Sequence, residues 1–339
     1  MGISPILRIA ISTTLNRKNQ IRIALRKLRN GIANAYLYWV LLPQYRYLAQ
    51  KKQIQYDRFL RVRASVAEYL NTLDRTDLDS RLVFDDWKHN AMNMHKTLSE
   101  TIPFDFLQNE IVLDTMFVKA GGRWLREELA YLETHIERKR LAQLLEEELA
   151  GKPMLSQTPY CTSHNTVHTL YHLERFTQRT GLPLKHMQRV VEWGGGYGNM
   201  ARIFHKHTES QHQYILIDHP VFACLQWLYL SCVLGPERVF LLTQKTDKIR
   251  ERGISIVPLN LLEHVDLRAD LFISTWALSE SSKFALQTVV GKKWFGARHF
   301  LIAFDESFQA TRHMRSLLQN DDVHTEPITF LPGNFYILK

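Results

Sequence analysis

The hydrophobic pattern of the chain changes period near Pro183. Upstream, apolar positions recur at helical spacing; downstream, short apolar runs alternate with stretches long enough for crossover helices. At the N-terminal end Ile21, Leu25, Leu28 and Ile32 share one helical face, and Arg22, Arg26, Lys27 and Arg29 lie mainly off it. The apolar run 32–42 follows and stops at Pro43. Eleven residues are too few to cross a bilayer, although a basic amphipathic segment of this kind can lie at a membrane interface or pack on the body of the protein. Residues 57–180 predict helices, with periodic apolar positions around 59–73, 106–118 and 123–150. Gly121-Gly122 and Gly151-Lys152-Pro153 interrupt them. Ser163-His164-Asn165-Thr166 predicts the capped start of a helix running to about Thr180.

Beyond Pro183 the runs 190–192, 214–217, 239–242, 254–257, 271–274 and 299–304 read as buried strands. The helical stretches between them imply a mostly parallel sheet. A helix is expected near 311–319. After it, the runs 328–331 and 335–338 flank Pro332-Gly333-Asn334 and predict a terminal hairpin. The organisation expected is a basic segment over 1–56, a helical region over 57–182 able to cap a site, and an α/β domain over 183–339.

Composition narrows the class. With 339 residues, 45% hydrophobic and 23% charged, the chain suits an ordinary soluble globular protein. Its three cysteines, Cys161, Cys224 and Cys232, form neither a disulfide framework nor a metal-binding spacing. They suggest a reducing, cytoplasmic setting. The net charge of +9 resides in residues 1–56, which hold ten basic residues and no acid, while the remainder balances to within one charge. A near-neutral body argues against a broad nucleic-acid face there. The N-terminal charge leaves room for peripheral contact with the inner face of a membrane through residues 1–45.

The most specific local signal is Val190-Val191-Glu192-Trp193-Gly194-Gly195-Gly196-Tyr197-Gly198, followed by the helical start Asn199-Met200-Ala201-Arg202. A strand, a glycine turn and a helix N-terminus form a cradle for a nucleotide-like ligand. A dinucleotide site would read G-x-G-x-x-G. Here an acid precedes glycines at every second position, which suits a ligand carrying positive charge. Asp218 ends the next strand and can accept both hydroxyls of a ribose.

The acid-x-G-x-G-x-G run resembles the first motif of class I S-adenosylmethionine (SAM) methyltransferases, and such domains end in an added hairpin. Together with Asp218-His219-Pro220 and Ala269-Asp270-Leu271-Phe272-Ile273-Ser274-Thr275-Trp276, the chain is most similar over residues 150–310 to the bacterial sugar O-methyltransferase family. It departs from that family in carrying His219 where Leu is usual, and in lacking the Asn and methionines around Glu280. The resemblance implies a Rossmann-like, mostly parallel seven-stranded sheet and SAM as cofactor, held by Glu192, Gly194, Gly195, Gly196, Gly198, Asp218 and Asn260. It implies methylation of a hydroxyl on a sugar or glycan precursor, with no metal assigned.

A protonated hydroxyl is a poor nucleophile, so a general base is expected within reach. Glu280, in the loop after the fourth strand, is the leading candidate, with Asp305 at the end of the next strand as runner-up. His164, Asn165 and Trp276 are the candidate acceptor contacts. His164 and His168 share a helical face, but two imidazoles do not make a metal site. The alternatives are methylation of another small molecule or of nucleic acid, and a non-catalytic scaffold of the same fold. The segment Thr275-Trp276-Ala277 is not the (Asp/Asn)-Pro-Pro-aromatic element of amino-directed DNA enzymes.

Overall fold

In the computed structural model, residues 46–339 are described except 101, 119–121, 157, 210–211, 313, 315–317 and 319–322; of the preceding segment only 25, 28, 32, 35 and 36 are. The amphipathic segment and the helix expected near 311–319 therefore lie largely outside the described residues.

Eight strands form one sheet: β1 (Arg189–Trp193), β2 (Gln213–Asp218), β3 (Val239–Leu241), β4 (Gly253–Pro258), β5 (Leu271–Thr275), β6 (His299–Asp305), β7 (His324–Pro327) and β8 (Asn334–Leu338). Their order is β3-β4-β2-β1-β5-β6-β8-β7. The first six are parallel to one another; β8 runs antiparallel to β6 and to β7. This is the class I methyltransferase arrangement with one strand more than the seven expected. The addition is the three-residue β3, which extends the edge beyond β4.

The hairpin is displaced from its expected position. Its outer strand is the polar stretch His324–Pro327, and the apolar residues 328–331 form the turn instead. An edge strand pairs on one side only, so it needs no apolar alternation, whereas Ile328 is better buried beneath the turn at 3% exposure.

Alternation along the strands divides the core in two. Val190, Tyr214, Leu216, Leu271 and Ile273 face one apolar cluster; Val191, Ile215, Ile217 and Phe272 face the other. Parallel sheets bury both faces, which explains why these strands read as continuous apolar runs. The N-terminal helices cover the first face. Helix α1 (Arg46–Thr72) inserts Phe59, Val62, Val66 and Leu70 into the same cluster that contains the sheet residues. It packs against α9 (Pro220–Leu234), which is apolar almost all round because it lies between sheet and helices. Further helices among the described residues are α2 (Arg75–Leu78), α3 (Asp85–Glu100), α4 (Glu110–Thr115), α5 (Gly122–His135), α6 (Arg138–Leu145), α7 (His164–Thr180), α8 (Asn199–His207) and α10 (Lys283–Gly291). Helix α7 starts as the sequence predicts: the Ser163 hydroxyl accepts the Thr166 N–H, and Gly181 closes it in the left-handed conformation at φ 70°.

Candidate active site

The C-terminal ends of β1, β2 and β5 converge on a cavity of about 340 Å³. Its floor is the glycine turn. Gly194 has φ 72°, and a Cβ there would overlap that of Ala277, so this position admits only glycine. Gly196 has φ 57° and opens onto the cavity, its nearest neighbour being the Met116 side chain. The turn closes through Gly198 N–H donating to Gly195 O at 2.9 Å, and Gly198 then serves as the N-cap of α8.

Two carboxylates border this turn. Glu192 is 1% exposed and accepts the Tyr214 hydroxyl at 2.8 Å. Burial pushes its carboxyl up to about 8, and the nearby Asp218 adds to the rise against the Tyr214 bond. Asp218 accepts the His219 N–H at 2.8 Å and the Gln226 amide at 2.6 Å. Burial raises it to about 7 in spite of these bonds. The Gln226 amide also donates to Gly196 O at 3.0 Å, joining the loop to the acid. No salt bridge compensates either carboxylate among the described residues. His219 lines the cavity and caps α9: its Nδ1 accepts the Val221 N–H at 3.3 Å, while its Nε2 is 3.0 Å from Leu78 O. Desolvation lowers it to about 4, so it stays neutral.

The rest of the wall is aromatic, with Trp124, Trp276, Phe117 and His168 among the lining residues. Trp276 stands at φ 63° directly after β5, its indole N–H bonded to Asn334 Oδ1 at 2.5 Å. Its ring stacks on His168 with centroids 5.6 Å apart. Asn165 lines the cavity, but its amide is committed: it donates to Met116 O and accepts the Val118 N–H, both at 2.7 Å. It therefore fastens the 116–118 loop rather than offering free polar atoms. Glu280 lines the cavity too, on the turn where its N–H bonds Trp276 O at 3.1 Å.

Three expected site residues lie elsewhere. His164 is not in the cavity wall; it bonds Glu128 at 3.1 Å from the side of α7 that faces α5. Asp305 turns back on its own loop, where its carboxylate accepts the Ser307 N–H at 2.8 Å. Asn260 donates to Asp77 of α2 at 2.7 Å, and the neighbouring Leu259 lines the cavity in its place. Sequence reasoning noted His168 without giving it a role in the site, and it missed Glu128, His172 and Tyr336, in and behind the same wall. The signal available was the spacing of His164, His168 and His172, three turns of one helical stripe. No cluster of metal-ligating side chains occurs among the described residues.

No family model matches the chain, and no curated protein sequence does. Solved structures do. The O-methyltransferase of Streptomyces achromogenes involved in tomaymycin synthesis, in complex with SAM, overlaps 65% of this chain and 98% of its own at 12% identity and a TM-score of 0.38. A methyltransferase of Podospora anserina bound to S-adenosylhomocysteine (SAH) overlaps 70% and 97% at 13% identity and 0.35. Human N-acetylserotonin methyltransferase, in complex with SAM, overlaps 74% and 65% at 13% identity and 0.31. At these scores the fold assignment rests on the strand order and the terminal hairpin.

Proposed function

We propose that the chain is a SAM-dependent O-methyltransferase acting on a hydroxyl of a small acceptor, a sugar or glycan precursor. The observation that carries this reading is the pair of carboxylates, buried Glu192 and half-buried Asp218, bordering a glycine turn with no cation to match them among the described residues. A buried acid without a partner is costly, and a cationic ligand would repay that cost. Asp218 at the strand tip would take the ribose hydroxyls, Glu192 would supply negative charge beneath the loop for the ammonium end, and Gly194–196 would leave room for both. SAM supplies an activated methyl group; the chain supplies alignment of acceptor and donor, exclusion of water and removal of a proton.

The sugar acceptor rests on the sequence resemblance. The wall of Trp124, Trp276 and Phe117 suits the apolar face of a pyranose. The same aromatic wall favours a second reading, a phenolic acceptor. Both are tested by incubating the protein with methyl-labelled SAM and a panel of monosaccharides, nucleotide sugars and simple phenols, then following the label by mass spectrometry. Gly196→Arg would fill the cavity and place a cation where one is expected to bind, so SAM affinity should fall by ~100-fold or more with the fold intact by circular dichroism. Unchanged affinity would remove the glycine turn as the cofactor site.

No helix among the described residues is long and apolar enough to cross a membrane. The basic N-terminal segment is proposed as a peripheral membrane contact, and residues 57–182 as a cap over the methyltransferase domain. Deleting residues 1–45 should leave SAM binding unchanged and reduce recovery with anionic vesicles; equal recovery would discard the membrane role.

A further inference from the structure

Helix α7 carries His168 and His172 one turn apart, and both line the cavity. Behind them runs a continuous set of hydrogen bonds across three elements. Glu128 of α5, fully buried, sits 2.5 Å from His168 Nδ1 and 3.1 Å from His164 Nε2. His168 Nε2 is 2.9 Å from His172 Nε2, and His172 Nδ1 is 2.6 Å from the hydroxyl of Tyr336 on β8. Desolvation alone would raise Glu128, but the two imidazoles outweigh it and hold its carboxyl below the usual range. Burial keeps His172 neutral, well below the ordinary histidine value, and pushes Tyr336 far above the usual phenol range.

With Glu128 accepting from His168 and burial keeping His172 neutral, the distances fit one directed chain of bonds when His168 carries a single proton. His168 Nδ1–H donates to Glu128. The lone pair on His168 Nε2 then faces His172 Nε2–H, and His172 Nδ1 accepts the Tyr336 O–H. The network therefore presents an acceptor nitrogen and a donor N–H side by side in the cavity wall. They are bonded to each other at 2.9 Å, so an acceptor hydroxyl enters by parting the two rings and replacing that one bond with two, donating to His168 and accepting from His172. Its second lone pair stays free.

The geometry points to His168 as the general base for the acceptor hydroxyl, with His172 as the donor that orients that hydroxyl and Glu128 and Tyr336 as positioning residues. The inference rests on the methyltransferase reading above and deepens it. The balance is simple: the acceptor oxygen forms a bond to the methyl carbon, the sulfur–carbon bond breaks with its electron pair on sulfur, and the hydroxyl proton moves to His168 Nε2. The resulting imidazolium stays paired with the Glu128 carboxylate. Trp276, stacked on His168, and Trp124, edge-on with its centroid at 5.1 Å, keep the imidazole in this orientation. The Trp124 indole N–H is buried without a partner among the described residues. The groups facing His168 are Glu128 from α5, His164 and His172 from α7 and, through His172, Tyr336 from β8. The inference displaces Glu280, which reaches the same cavity from the turn after β5.

The test uses the full-length protein with 15N-labelled histidine. Nuclear magnetic resonance of the unliganded chain should show His168 protonated at Nδ1 and bare at Nε2, with His172 the reverse; Glu128→Gln should mix the His168 tautomers. A proton on His168 Nε2 in the unaltered protein would overturn the proposal. In methyl transfer to the panel of monosaccharides and phenols, His168→Asn should lower kcat by ~100-fold or more, with the calorimetric SAM Kd changed less than ~2-fold, a larger loss of kcat than Glu280→Gln gives. The converse pattern would return the role to Glu280. Tyr336→Phe keeps the ring and should lower kcat about 10-fold and shift the pH profile, which a purely structural role would not do. Failure of the unaltered protein to bind SAM would refute the cofactor reading separately, and the tautomer measurement decides the base network even if no acceptor in the panel is methylated.

Discussion

The two acids beside the glycine turn make a prediction at the level of single protons. Both carboxyls lie well above their ordinary values in the unliganded chain, at about 8 for Glu192 and about 7 for Asp218. A cation entering the site favours the charged forms and drives protons off. SAM binding near pH 7 should therefore release protons, seen as a dependence of the calorimetric heat on the ionisation enthalpy of the buffer. Glu192→Gln should reduce that release. The same shifts set the stability of the unliganded protein: an acid whose folded value is raised stabilises the fold while both states hold the proton, and that advantage is lost as pH rises. Stability should therefore decline between about pH 4.5 and 8, and proton uptake on SAM binding would contradict both statements. These residues were legible in the sequence because strand, turn and helix N-terminus are contiguous. The Glu128–His168–His172–Tyr336 network was not, since it joins positions up to 208 apart in the chain. Only its helical spacing was visible.

Among elements, α7 links the helical region to the cofactor turn. Asn199 at the start of α8 donates to Asn165 O at 3.2 Å and to the Thr169 hydroxyl at 3.0 Å, so the two helices meet directly behind the glycines. Buried Arg202 extends the joint, bonding Asn199 Oδ1, the Thr166 hydroxyl and, at 3.2 Å, Glu147. Asn165→Ala would leave Met116 O and Val118 N–H without partners. The expected cost is about 1–3 kcal/mol, with faster hydrogen exchange at Val118 and weaker SAM binding as the 116–118 loop loosens. Protection at Val118 equal to the unaltered protein would show that the loop is held by other means. Element type was readable because buried parallel strands and amphipathic helices differ in period. The register of the hairpin was not, since its outer strand is polar and its apolar residues serve the turn. Asn260 misled for a related reason: its partner Asp77 lies 183 residues away, on a short helix that the sequence does not single out.

Across the whole molecule, the helical region and one face of the sheet share one apolar cluster, from Phe59 to Leu338. Phe59 is 1% exposed on α1, far from the cavity wall in sequence and absent from its lining. Phe59→Ala should cost about 3–5 kcal/mol and lower the midpoint of a single cooperative urea transition. Two separate transitions would mean that the helical region and the sheet fold as independent units. The notional boundary at 182 is thus a change of secondary structure that the core crosses without a break.

The polar outer strand carries a final consequence, for colloidal behaviour. A sheet edge with unpaired backbone groups is a template on which further strands can add and grow into fibres. At one edge here, β7 ends in Pro327, which has no N–H to donate, and its Glu326 is ion-paired to Arg175 of α7. At the other, β3 is only three residues long. Neither edge offers a long, flat run of apolar backbone, so strand addition has little to build on, and self-association of the folded chain is left to its helical surfaces.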